Sequence, residues 1–146
     1  MSKFVEKQKT KISNARRSVA FALYSSIVQK TPVDTGRARG NWNVSVNDID
    51  HSTTDNTTPK YNTKSGLPLP KDDESIYISN SLPYITTLEY GGYPSPVKKG
   101  SYKKGKGWSI KSVNGYSKQA PNGMVGLAML EFKNIVDKAV REESET

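Results

Sequence analysis

Thr31-Pro32-Val33-Asp34-Thr35-Gly36-Arg37 separates two kinds of hydrophobic spacing, and the rest of the chain is read outward from it. Proline at position 32 biases Thr31 away from helical geometry, so a helix running up to it stops there. Asp34 and Thr35 can bond nearby backbone, and Gly36 can take the positive φ that such a turn often needs. On the N-terminal side, Phe4, Ile12, Ala15, Val19, Leu23 and Ile27 recur at three- and four-residue steps, which predicts a helix over 2–29 with that stripe as its core face. Lys3, Lys7, Lys9, Lys11, Arg16 and Arg17 crowd its first half. On the C-terminal side, Trp42, Val44 and Val46 alternate with Asn43, Ser45 and Asn47, the period of a half-buried strand.

Further along, residues 48–75 show no period and hold Pro59, Gly66, Pro68 and Pro70 among many Thr, Asn and Asp residues. A run this long without an element is normally functional or disordered. It reads as an arm, mobile in the isolated chain and ordered on a neighbour. Ile76 and Ile78 predict a second strand, and Ser81 a cap for a short helix from Pro83. Tyr84 and Leu88 share a face of that helix, and Gly91-Gly92 ends it. Trp108 and Ile110 predict a third strand, and Asn114-Gly115 a turn. A closing helix over about 123–142 is expected, capped by Asn122. Val125, Met129, Phe132, Val136 and Ala139/Val140 form its stripe, with Arg141 near its C-terminal end. The fold class expected is α+β in a single domain over 1–146: long N- and C-terminal helices on a small, mainly antiparallel sheet, with extended loops.

Composition bounds the chemistry. The 146 residues suit one core, 34% are hydrophobic, and mean hydropathy is −0.70. With no cysteine, disulfides, thiolate metal sites and cysteine nucleophiles are excluded. No segment approaches the roughly 18–20 apolar residues of a membrane span, so no membrane contact and cytoplasmic synthesis are expected. His51, the one histidine, sits alone in the irregular run. Asp72-Asp73-Glu74 lacks the alternating ligand spacing of a calcium loop. No phosphate-binding glycine loop and no nucleophile elbow occurs. The expectation is a protein without catalytic residues, metal or cofactor.

The net charge of +8 is unevenly spread. Residues 1–41 carry +7, 42–97 carry −4, 98–118 carry +7 and 119–146 carry −2. Such alternation suits docking of oppositely charged neighbours or proximity to nucleic acid. Residues 98–106 hold five lysines, Lys98, Lys99, Lys103, Lys104 and Lys106, around Tyr102. They can neutralise phosphates without reading sequence. An acidic protein partner and a merely solvated loop are the competing readings.

Taken in order, these blocks resemble a known family. A long N-terminal helix, the turn with Pro32, Asp34, Thr35, Gly36 and Arg37, and the strand with Trp42 look like the neck or tail-completion proteins of tailed bacteriophages. Ile78-Ser79-Asn80, Pro83-Tyr84-Ile85 and Leu88-Glu89-Tyr90-Gly91-Gly92 resemble that family's second signature, with Tyr84, Glu89 and Gly91 as its marks. Ile85 stands where alanine is frequent, and Ala120-Pro121 reverses a usual Pro-Ala pair. Neck ring, tail terminator and head–tail joining component therefore stay open as subtypes. The resemblance implies a structural virion protein that forms a homo-oligomeric ring at the head–tail junction. Its neighbours would be connector or portal-side and tail proteins, and double-stranded DNA would pass through with nonspecific contact at most. The alternative is a small nonspecific DNA-binding protein.

Overall fold

The computed structural model describes residues 3–32, 36–91, 112–113, 116–117 and 123–144. Helix α1 spans Lys3–Lys30, about 42 Å at 1.5 Å per residue. A one-turn helix α2 (Arg37–Gly40) follows, then β1 (Asn43–Val46). After a single 3-10 turn at Lys64–Gly66 come β2 (Ile76–Ser79) and α3 (Ile85–Tyr90). Strands β3 (Ser112–Val113) and β4 (Tyr116–Ser117) precede α4 (Val125–Met129) and α5 (Phe132–Ser144). The molecule is α+β: helices against a small antiparallel pair of strands.

β1 and β2 pair antiparallel with Val44 opposite Ile78 and Val46 opposite Ile76. This joins the two stretches whose alternation predicted strands. β3 and β4 form a second antiparallel pair in which Val113 faces Tyr116, bracketing the Asn114-Gly115 pair expected to turn. That pair itself, like the strand expected at Trp108 and Ile110, lies outside the described residues.

The α1 stripe needs correction. Among the described residues, the apolar ones buried along α1 are Ala20, Tyr24, Ile27 and Val28, whereas Ile12 is 57% exposed. On a wheel of about 100° per residue, Ala20, Tyr24, Ile27 and Val28 face the core. Val19 and Leu23 share a different side with Ser26 and Lys30, which bond Glu131 at the start of α5. α5 then runs back along α1. The helix is buried on two sides, so no one stripe describes it. α5 is only about 20 Å long, and Ile12 and Val5 lie beyond its reach.

Three further expectations change. The turn does not open directly into a strand, because α2 intervenes and Trp42 sits just before β1. Ser81 does not cap α3. Its hydroxyl lies 3.4 Å from His51 Nδ1, and Asn80 Oδ1 accepts from the Leu82 N–H instead. The closing helix is two helices, broken at Leu130-Glu131, where the N–H groups of both bond carbonyls three residues back. Met129, Leu130 and Val140 are consequently 48%, 80% and 55% exposed.

Residues 48–75 are irregular, yet in the single chain they already lie on the body. Asn41 and Asn43, both fully buried, staple the first part. The Asn41 amide donates to the Arg37 and Thr54 carbonyls and its oxygen accepts from Thr54 N–H. The Asn43 amide donates to the Asp50 and Ser52 carbonyls and its oxygen accepts from Lys60 Nζ. Tyr61 meets Tyr24 edge to face at 5.2 Å, and Leu67 enters the core. Arg16 donates to the carbonyls of Lys71 and Glu74.

Candidate functional site

The residues that carried the resemblance form two structural joints. At the first, Thr31 ends α1 by donating its hydroxyl to the Ile27 carbonyl at 2.7 Å. The same hydroxyl accepts from Trp42 Nε1 at 2.9 Å. Both side chains are buried, so the indole N–H has its partner in a dry setting, where leaving it unpaired would be costly. Arg39 closes the joint by donating to the Thr31 and Gln29 carbonyls. Pro32 is buried beside them, while Asp34 and Thr35 lie outside the described residues. Gly36 has φ +86°, and a Cβ there would stand 2.7 Å from the Thr57 carbonyl oxygen. Only glycine meets both demands. Arg37 pairs with Asp55 at 3.8 Å. The turn therefore seats α2 against the segment that Asn41 and Asn43 hold.

The second joint centres on Glu89, at the end of α3. Its Oε1 accepts from the N–H groups of Met124 (3.1 Å) and Val125 (2.5 Å), and its Oε2 from Gly126 (3.2 Å). A carboxylate thus satisfies the donors that the first turn of α4 leaves without intrahelical partners. The cap expected from Asn122, itself outside the described residues, is supplied from 35 positions upstream. Gly123 lies so close to this group that a Cβ would stand 2.4 Å from the Glu89 carbonyl oxygen. Gly91 ends α3 with φ +82°, its N–H bonding the Thr87 carbonyl at 2.8 Å. Tyr84, half-buried against the core, accepts from Leu88 N–H at the other end. The two joints meet through Asn80, whose amide donates to the Ala38 carbonyl at 3.0 Å.

A third connection locks α1 to α5. Glu131 accepts from Lys30 Nζ at 2.7 Å and Ser26 Oγ at 3.0 Å. The Lys30 bond, then the Ser26 bond, holds its carboxyl below the usual glutamate range. A carboxylate whose pKa is lower folded than unfolded contributes stability that is present above the unfolded value, about 4.3, and lost as pH falls through the folded one. The melting temperature is thus expected to fall on acidification through that window, and Glu131→Gln to flatten the fall. Superimposable pH profiles of the two proteins would contradict the clamp.

Other candidates are used structurally. Asp72 pairs with Lys9 at 3.2 Å, and Glu74 accepts from Lys71 N–H at 2.8 Å and from the Asn47 amide. Exposed His51 has Ser81 beside it, but the Asp50 carboxylate turns to the Ser52 N–H at 2.9 Å. Among the described residues no group of three or more His, Asp or Glu is placed to hold a metal ion. Nor is any described helix long and apolar enough to cross a membrane. Lys98, Lys99, Lys103, Lys104 and Lys106 lie outside the described residues. Asn41 and Asn43 are the joints that sequence reading missed. Their signal was weak: two amides flanking a tryptophan, at positions where alternation assigns Asn43 to solvent.

Comparison with protein-family models, with curated proteins and with solved structures finds no match for this chain.

Proposed function

We propose that this chain is a structural virion protein that forms a ring at the head–tail junction of a tailed bacteriophage. It would join the portal side of the head to the tail and leave a path for the genome. The observation that carries the reading is the work done by the motif residues. Thr31, Gly36, Trp42, Glu89 and Gly91 set where helices end and how they meet, and none is gathered around a reactive group. A motif whose residues form joints in this way fits a building block better than a catalyst.

The apolar surface supports the same reading. Val5 and Ile12 are exposed at one end of the α1–α5 pair, and Met129, Leu130 and Phe132 at the other. Two different patches on one subunit suit a head-to-tail contact between copies, which closes into a ring when its rotation permits. Native mass spectrometry of the purified full chain is expected to find a closed oligomer, a fixed multiple of the 16.1 kDa subunit. A monomer at every concentration would contradict self-assembly. A second reading, a small sequence-independent DNA-binding protein, draws on the cations of α1.

A further inference from the structure

Five of the cations of α1 divide into two groups. Lys9, Arg16 and Lys30 are all engaged, with Asp72, the 71 and 74 carbonyls, and Glu131 respectively. On the wheel they fall on one side of the helix, together with the exposed apolar residues Val5 and Ile12. Lys7, exposed, and Lys11, half-buried, lie on the opposite side, unpaired among the described residues. Asn14 and Ser18 continue that side within about 60° of the two lysines. Lys64, from the segment folded back onto the body, sets its ammonium 3.5 Å from Ser18 Oγ. The result is a straight row of positive charge, about 16 Å from position 7 to position 18 at 1.5 Å per residue.

We propose that this face of α1, with Lys7, Lys11 and Lys64, is a sequence-independent contact surface for the phosphate backbone of double-stranded DNA. A phosphate strand is itself a linear array of charge, and lysines bind it as point charges without fixed geometry. A stable protein partner would need a buried apolar or aromatic anchor at the centre of its footprint. Among the residues whose exposure is described, no exposed large apolar residue lies on this face; those of α1, Val5 and Ile12, sit on its other side. Small polar residues between the lysines supply hydrogen bonds to phosphate without reading bases. The surface deepens the connector reading by assigning a part that meets the genome.

The test is DNA binding by the full chain, followed by fluorescence anisotropy on a random-sequence duplex between about 50 and 200 mM salt. The double variant Lys7→Ser/Lys11→Ser is compared with Lys133→Ser/Lys138→Ser, which removes the same charge from the exposed side of α5. Lys7, Lys133 and Lys138 are exposed and Lys11 is half-buried, and unchanged melting temperatures verify folding. The α1 variant is expected to weaken binding at least tenfold at the low-salt end. Its log–log salt slope should fall by about 0.9 for each lysine that meets a phosphate, and Lys64→Ser should lower it further. Equal losses in the two doubles would reduce the effect to net charge and overturn the surface, as would an unchanged slope. Equally tight binding of poly-glutamate, with the same dependence on Lys7 and Lys11, would overturn the assignment to DNA. Failure here with an intact ring leaves the connector reading standing. A monomer that loses binding with Lys7 and Lys11 removes the ring and keeps the surface.

Discussion

Replacing Trp42 by alanine is expected to cost about 3–5 kcal/mol, the usual range for deleting a large buried aromatic. For a chain of this size that lowers the melting temperature by roughly 10–15 °C. The effect has two sources. Trp42 packs in the core with Ala20, Tyr24 and Val44, so its loss leaves a void that the strand pair cannot close without moving. It also leaves Thr31 without the indole donor that ties the end of α1 to the start of β1. Thr31→Val separates the two, since it keeps the shape but strands the indole N–H and withdraws the hydroxyl from the Ile27 carbonyl. That change should cost about 1–3 kcal/mol, the penalty of a buried donor left unpaired. Denaturant unfolding of both variants checks the ordering, and a Thr31→Val protein as stable as the parent would show that the bond carries nothing.

Replacing Glu89 by alanine is the second large change. It withdraws the acceptor from three backbone N–H groups at once and removes a negative charge from the start of α4. A loss of about 1–3 kcal/mol is expected, from the worth of charge-assisted bonds and helix caps. Glu89→Gln retains one acceptor oxygen and should fall between. Glu89→Asp keeps the charge but shortens the reach, so it separates electrostatics from geometry. Hydrogen exchange at Met124, Val125 and Gly126 reports the joint locally. Faster exchange there, with α1 unaffected, is the expected pattern; protection unchanged in Glu89→Ala would mean the cap is not made.

The parts of the fold legible in the sequence are those with local causes. Pro32 stops α1 through its own sterics, and Val44 and Ile78 meet because each lies on the apolar side of an alternating run. Gly91 ends α3 because its backbone takes a positive φ. What escaped depends on distant partners. Glu89 and the first residue of α4 are 36 positions apart, and nothing near either announces the other. The break between α4 and α5 has no proline or glycine within it. Glu131 turns instead to Ser26 and Lys30 on α1, and the helix restarts around that anchor. Residues 48–75 looked loose because they lack apolar period. Their order comes from Asn41 and Asn43 bonding backbone, a cause that hydrophobic patterning does not register.

The same division holds for function. The work of Thr31, Trp42 and Glu89 as joints was not readable, because it lies in hydrogen bonds across the fold. The unpaired row on α1 became visible only when the structure separated Lys7 and Lys11 from the engaged Lys9 and Arg16. Charge counts alone treat all four alike.

The connector account is tested most directly by electron microscopy of phage particles assembled with and without this chain. With it, a tag on the chain should mark the junction of head and tail. Without it, filled heads and finished tails should accumulate apart. Normally joined, infectious particles in its absence would contradict the account.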